Sequence, residues 1–340
     1  MYNHIIQMLE PHADKVSYLS RMRQTQAFFE EAGIIDIINK PHVEEPLSIV
    51  WALSTQAGEV FDAQLRCLLQ QSSILQDHDQ IVLVAEKERR QEVTSVVSNL
   101  AEFVDIKVIY IDRHCVGDRP TLNWDIGLNY AKYNRVLFLR DLCLFFNPWN
   151  LIKEAREVSI TNRITNMSVI LGPTLSRYTD QWAYLVHPFY SPTPFLFAFV
   201  ASRDDVKRIG GFDPVFARGF DHAGELDFMI RWAMKNNTYD INGDITVLHP
   251  GIPTTRASLE EMQFHSTVNR RYFYDRYGEE FINKLKPPLK LDLPLIEVNH
   301  ALTLSPFMVK PLDDQFVDLQ PKAFDFMKRP LDYYVVEETQ

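Results

Sequence analysis

Short apolar runs rich in β-branched residues alternate with segments of helical pattern through the first half of the chain. The runs lie at residues 47–53, 80–85, 106–111 and 135–139, and the helical segments near residues 57–71, 87–101 and 121–132. Strands that are apolar on both faces and separated by helices are typical of a parallel sheet with helices on each side. The sequence therefore predicts an α/β fold whose ligands bind beyond the carboxyl ends of the strands.

The pattern continues into the second half of the chain. Further strands are expected at residues 167–173, 195–202 and 244–249, and helices near residues 148–158 and 257–278. Residues 175–194 are aromatic and proline-rich without clear periodicity, which indicates a loop that lines a binding site.

Two extensions flank this region, so the chain is predicted to have three parts. Residues 1–45 form an N-terminal helical extension, residues 46–286 the α/β domain, and residues 287–340 a proline-rich arm. The arm is expected to lie on the domain or on a partner subunit, and in the second case the protein is a homo-oligomer.

Composition narrows the class of partner. With 46% hydrophobic and 24% charged residues among 340, the chain is an ordinary globular protein, and its formal net charge of −10 argues against nucleic acid as a general partner. Three widely spaced cysteines fit free thiols in a reducing compartment. No signal-peptide pattern or apolar run long enough to span a bilayer is present, so a soluble cytoplasmic protein is expected.

The stretch GGFDPVFARGFDHAGELDFMIRW, residues 210–232, sets two carboxylates at the start of a helix. Acidic residues in a first helical turn are common because they favour the positive end of the helix dipole, and that alone would account for Glu225 and Asp227. The helix dipole does not explain the loop that precedes these two carboxylates. Gly210 and Gly211 permit positive φ or close backbone approach, and a rigid turn beside a carboxylate suits a general base held over a substrate hydroxyl.

This stretch resembles the GGFDE…(E)DxDLxxR signature of the family 2 inverting glycosyltransferases, which have the Rossmann-like GT-A fold. Aligned backwards from Arg231, Glu225 falls where that family places its catalytic base, and Asp227 falls on the second acidic position. The segments LSIVWALS, QIVLVAEKE, VLH and NRRYF with YG resemble further family motifs in the same order. Together the resemblance covers roughly residues 47–285.

The resemblance implies a nucleotide-sugar donor, with a UDP-sugar favoured, and a carbohydrate-type acceptor. Glu86 and Asp125 would seat the nucleoside, although Asp125 stands where the family more often has Asn. The backbone at Gly210 and Gly211 would lie close to the donor.

One family motif is degenerate in this chain. The family has an Asp-x-Asp after its fourth strand, where carboxylates hold a divalent cation on the donor diphosphate. Here Arg140 and Leu142 stand at the two aspartate positions, and only Asp141, one step out of register, is acidic. Three interpretations stay open: Asp141 and His249 still bind Mn²⁺ or Mg²⁺; Arg140 itself neutralises the diphosphate; or Arg140 pairs with Asp141 or another surface carboxylate in a site that no longer binds a donor.

The leading hypothesis is therefore an inverting glycosyltransferase with Glu225 as general base and Asp227 orienting the acceptor or Glu225. Two alternatives remain. The first is a catalytically decayed scaffold protein of the same fold, and the second a transferase acting on an unusual macromolecule such as a modified nucleic acid.

Overall fold

The fold was analysed in a computed structural model. It describes residues 45–53, 75, 78–101, 104–111, 120–140, 143, 151–171, 183–186, 196–213, 216, 223–235, 237–249, 269, 272–273, 275–278 and 335–338. The expected N-terminal helices, the helix at 57–71, Asp141 and most of the proline-rich arm lie outside these residues.

Within the described residues nine strands form one sheet. They are β1 (Leu47–Leu53), β2 (Gln80–Glu86), β3 (Asp105–Ile111), β4 (Arg135–Leu139), β5 (Arg163–Leu171), β6 (Ala183–Val186), β7 (Ala198–Ser202), β8 (Thr238–His249) and β9 (Val335–Glu338). Their order is β6-β5-β7-β4-β1-β2-β3-β9, and β8 pairs with β5 off this path.

In the part of the chain that the structure describes, five helices accompany the sheet. They are α1 (Arg90–Leu100), preceded by a 3-10 turn at Lys87–Arg89, α2 (Pro120–Tyr130), α3 (Leu151–Glu157), α4 (Arg203–Arg208) and α5 (Ala223–Met234). Residues 269, 272–273 and 275–277 are also helical, and we call these six residues together with Gly278 the closing segment.

The centre of the sheet is parallel. β1 pairs in parallel with β2 and with β4, and β2 pairs in parallel with β3. All residues of β1, β2 and β4 are buried, as expected for strands covered on both faces. The predicted α/β fold with a mostly parallel sheet flanked by helices is confirmed, and the carboxyl ends of four strands meet at one edge, which we call the carboxyl edge.

Helix α2 runs antiparallel to the central strands, so its first turn lies at the carboxyl edge. The indole N–H of Trp124 donates to the carbonyl of Leu139, at the end of β4, over 2.8 Å. At the other end of the helix, the carbonyl of Tyr130 accepts from the side chain of Gln80, at the start of β2. Gly127 lets the helix approach the sheet, because a Cβ there would be 2.4 Å from the Val50 side chain.

At the opposite edge of the sheet, where the central strands begin, a buried ion pair joins α3 to the residue that precedes β2. Nη1 of Arg156, on α3, donates to Oδ1 of Asp79 at 2.8 Å, and a second guanidinium nitrogen contacts the other carboxylate oxygen. Oδ1 of Asp79 also accepts from the backbone N–H of Leu47. These buried polar groups hold α3, β1 and the residue before β2 together, so we assign them a structural role.

Two sequence-based expectations are corrected by the sheet. Strand β6 lies inside residues 175–194, which were expected to form a loop. Ala183, Tyr184 and Val186 pair antiparallel with β5, and a four-residue strand at the end of the sheet order is too short to show a period. Strand β8 begins at Thr238 and not at residue 244, because the Asn242-Gly243 turn signal marks an irregularity in the β5–β8 register and the pairing resumes after it. No helix in the described part of the chain is long and apolar enough to cross a membrane.

Candidate active site

Arg140 directly follows β4 at the carboxyl edge, and its main chain is held on several sides. Its N–H donates to the carbonyl of Phe197 at 2.8 Å, which extends the β4–β7 pairing by one residue. Its carbonyl accepts from the indole N–H of Trp51 at 3.2 Å. The guanidinium lies over the Phe197 ring, 4.7 Å from its centroid. A cation–π contact uses the guanidinium face, whereas the N–H groups donate at its edge.

The edge of this guanidinium forms an ion pair with Glu225. Nη1 of Arg140 donates to Oε1 of Glu225 at 3.1 Å, and the two side chains are 11% and 3% exposed. The residue that stands at the first metal-binding position of the resembled family is thus in direct contact with the residue at its catalytic-base position.

Glu225 lies in the first turn of α5, which begins at Ala223. The preceding residue, Gly224, faces the first turn of α2: a Cβ there would be 3.3 Å from Oγ1 of Thr121 and 3.0 Å from Cβ of Phe216. The missing side chain therefore lets α5 begin in close contact with α2. The positive end of the α5 dipole favours a carboxylate at this position, in addition to the charge of Arg140.

Arg231 fixes the glycine turn that precedes α5. Gly210 and Gly211 have φ values of 94° and 63°, a left-handed conformation that glycine adopts without strain. Arg231 donates from Nη1 to the carbonyl of Ile209 at 2.8 Å and from Nη2 to the carbonyl of Gly211 at 2.9 Å. Because Arg231 lies on α5, the turn is tied to the helix that carries Glu225.

Asp125, on α2, holds the same turn from the other side. Its Oδ1 accepts from the N–H of Phe212 at 3.0 Å, and a Cβ at Gly211 would come within 2.2 Å of that oxygen. Burial raises the pKa of the Asp125 carboxyl from 3.8 to about 6, against the opposing effects of the Phe212 hydrogen bond and the positive charge of Arg231. Asp125 was expected to contact a nucleoside, but one of its two carboxylate oxygens already accepts a hydrogen bond from the glycine turn.

Asp227 is surrounded differently from Glu225, because residues two apart on a helix do not share a face. Its side chain is fully buried. Oδ2 accepts from Nε of Arg231 at 2.8 Å, and Oδ1 accepts from the hydroxyl of Tyr277 at 2.8 Å and from the guanidinium of Arg276. Three side chains thus engage this carboxylate, and two of them come from the closing segment. We infer that Asp227 holds the closing segment on α5.

His249, the last residue of β8, has a neighbour in common with Arg140. Its ring packs edge-on against Phe197, with 5.3 Å between ring centroids, so Phe197 contacts both His249 and Arg140. Asp141 lies outside the described residues. Within the ranges that the structure describes, no three His, Cys, Asp or Glu side chains are grouped to hold a metal ion. A metal site formed by Asp141 and His249 stays a prediction.

Buried polar groups of β2 and α2 lie towards the same edge. Glu86, the last residue of β2, is 2% exposed. Among the residues described, Oγ1 of Thr121 and both amide atoms of Asn123 are buried without a hydrogen-bond partner. Such groups cost roughly 1–3 kcal/mol each, and at binding sites a ligand or ordered water commonly supplies the missing partner. This edge therefore suits a polar ligand.

Sequence reasoning missed Phe197, Thr121, Asn123 and Arg276. An arginine four residues after Tyr272 was a usable signal, because side chains at i and i+4 meet on a helix and Arg276 donates to the Tyr272 hydroxyl. The other three residues have apolar or small polar side chains in ordinary helix and strand patterns, and only the tertiary packing gives them a place in the site.

No protein-family model matches the sequence, and no curated protein matches it. Among solved structures, the chain is similar to the mannosyltransferase PcManGT from Pyrobaculum calidifontis in complex with GDP-Man and Mn²⁺, at a TM-score of 0.45 and 9% identity, over 80% of this chain and 75% of that one. It is also similar to GalNAc-T7 with UDP, GalNAc and Mn²⁺, at a TM-score of 0.45 and 12% identity, over 85% of this chain and 55% of that one. Similarities this distant do not bear on what the present chain binds.

Replacing Asp227 by Asn tests its role as the link to the closing segment. The change removes the buried counter-charge of Arg231 and one of the two carboxylates that pair with Arg276, which keeps its contact with Asp213. We expect the free energy of unfolding in urea to fall by about 3 kcal/mol. Asp240→Asn is the matched control, since Asp240 pairs with Arg163 in a half-exposed position and its loss should cost less than about 1 kcal/mol. Equal effects of the two substitutions would contradict the assignment.

Asp125 should make the free energy of unfolding depend on pH in a defined direction. Because its pKa is higher in the folded than in the unfolded chain, its contribution to stability is complete below pH 3.8, falls as pH rises, and is lost above about pH 6. Asn at this position keeps an oxygen for the Phe212 N–H and does not titrate. The stability of Asp125→Asn relative to wild type should therefore increase between pH 4 and pH 7, by roughly 2–3 kcal/mol.

Denaturant unfolding of both proteins across this range measures the difference directly. A constant difference from pH 4 to pH 7 would show that the Asp125 pKa is not raised.

Proposed function

We propose that this protein is a glycosyltransferase that moves a sugar from a nucleotide-diphosphate sugar to an acceptor hydroxyl with inversion, and that Glu225 is the general base. The observation that carries the proposal is the contact of a buried carboxylate with a buried guanidinium at the carboxyl edge, with 3.1 Å between Oε1 of Glu225 and Nη1 of Arg140. An acid–base group and a fixed positive charge are the two things that this transfer needs from a protein.

In the proposed reaction, the acceptor oxygen attacks the anomeric carbon of the donor on the face opposite the diphosphate. The hydroxyl proton passes to Glu225, a new carbon–oxygen bond forms, and the bond from the anomeric carbon to the phosphate oxygen breaks. The leaving nucleoside diphosphate takes the electron pair of that bond, so negative charge develops on its oxygens. A guanidinium is suited to stabilise this charge, because it is permanently positive and donates several N–H bonds in one plane.

Other residues at the carboxyl edge support nucleotide binding in this proposal. Glu86 would contact the ribose or base. Asp125 would reach a nucleoside only through Oδ2, because Oδ1 accepts from the turn. The unsatisfied polar atoms of Thr121 and Asn123 offer further hydrogen bonds at the start of α2. The preference for a UDP-sugar rests on the motif resemblance alone.

The charge on the leaving group has two candidate partners. A divalent cation on Asp141 and His249 would act as a Lewis acid on the diphosphate. We favour Arg140, because its guanidinium already lies at the carboxyl edge in contact with Glu225.

A second candidate function is supported by the same ion pair. A non-catalytic protein of this fold would have no use for a free base, and pairing Glu225 with Arg140 neutralises it. Calorimetry against a panel of nucleotide sugars separates the two functions, since a protein that binds none of them is not a transferase of this kind.

Replacement of Glu225 by Gln tests the base. We expect kcat for release of UDP from UDP-hexoses, measured with a panel of oligosaccharide acceptors, to fall by about 10²- to 10⁴-fold, because Gln cannot accept the proton. Glu154→Gln is the matched control: Glu154 lies on α3 and accepts a hydrogen bond from Asn242, outside the proposed site. Transfer by Glu225→Gln at the control rate would remove Glu225 from the base role.

Chelation tests the source of positive charge. If Arg140 stabilises the diphosphate, transfer should continue at an unchanged rate after dialysis against EDTA. Loss of transfer that is restored by Mn²⁺ or Mg²⁺ would instead assign this task to a metal ion.

A further inference from the structure

The ion pair of Arg140 with Glu225 joins two groups whose proposed tasks compete with each other. Under the proposed function, Glu225 must accept a proton and Arg140 must bind the diphosphate, and while they are paired each group neutralises the charge that the other needs for its task. Both side chains are almost fully buried, so the contact is little weakened by water.

We propose that the donor diphosphate displaces Glu225 from Arg140, so that donor binding itself releases the catalytic base. This inference rests on the proposed function and adds an order to it: the nucleotide sugar binds first, and only then is Glu225 able to take the acceptor proton. Before the donor arrives, Glu225 occupies the place of the diphosphate on the guanidinium.

A diphosphate is a stronger partner for this guanidinium than a single carboxylate. It carries more negative charge and more acceptor oxygens, and arginine matches phosphate oxygens in a bidentate manner. The exchange needs little movement, because the main chain of Arg140 is held by Trp51 and Phe197. The guanidinium rests on the Phe197 face, a contact that persists while the N–H groups change acceptor.

Glu225 keeps a favourable position after the exchange. It stays in the first turn of α5, where the helix dipole stabilises its negative charge. The helix itself is held by Arg231 on the glycine turn and by Asp227 on the closing segment, neither of which takes part in the exchange. The proposed exchange therefore leaves the contacts that hold α5 in place.

The exchange has a measurable reciprocal effect. If Glu225 competes with the diphosphate for Arg140, removal of its charge must tighten nucleoside diphosphate binding, because coupling between two ligands of one group acts in both directions. The same substitution that abolishes transfer should then increase affinity for UDP. A merely structural ion pair predicts no gain in affinity.

Calorimetry with UDP, and with GDP in parallel, tests the inference on the full chain. We expect Glu225→Gln to bind the preferred diphosphate about 5-fold or more tightly than wild type. Uridine or guanosine, which lack phosphates, should bind both proteins equally. Asp240→Asn removes the same charge from an exposed arginine pair at the far end of β8, and should not change the affinity.

Arg140→Gln completes the test. It should weaken diphosphate binding, and in its background Glu225→Gln should have no further effect, since the group they share is gone. Equal UDP affinity of wild type and Glu225→Gln would overturn the exchange and leave the proposed function standing. Failure of every variant to bind either diphosphate would overturn the proposed function and the exchange with it.

Discussion

The contact of Arg140 with Glu225 is the interaction on which the account of this protein depends. It connects the end of a central strand to the start of a helix that lies 85 residues later in the chain, in a region that water hardly reaches. Removing two charges from water is costly, and a buried ion pair is often no more stabilising than apolar residues of the same size. A function is therefore a better reason for this pair than stability, and the two groups are the ones that sugar transfer requires.

The two carboxylates at the start of α5 have separate environments although they are two residues apart. Glu225 faces a guanidinium at the carboxyl edge, whereas Asp227 is enclosed by Arg231, Arg276 and Tyr277. The second group fixes the helix and the closing segment, and the glycine turn is fixed by Arg231 and Asp125. Glu225 is thus placed by a rigid frame whose members do not themselves need to react.

Sequence patterns were sufficient for the central sheet and for the order of the motifs. The runs at 47–53 and 135–139 form strands with the expected bounds, because strands buried on both faces are continuously apolar. Strand β6 was missed because its four residues are too few to show the period of a strand. The Arg140–Glu225 contact was missed as well: the sequence identifies one group at the end of a strand and one at the start of a helix, but side-chain directions and tertiary packing decide whether they touch.

A structure of the protein with UDP bound is the most direct measurement of the central claim. The account predicts that the diphosphate oxygens lie within hydrogen-bond distance of the Arg140 guanidinium and that Glu225 no longer accepts from it. A nucleotide bound elsewhere, with the Arg140–Glu225 pair intact, would contradict it.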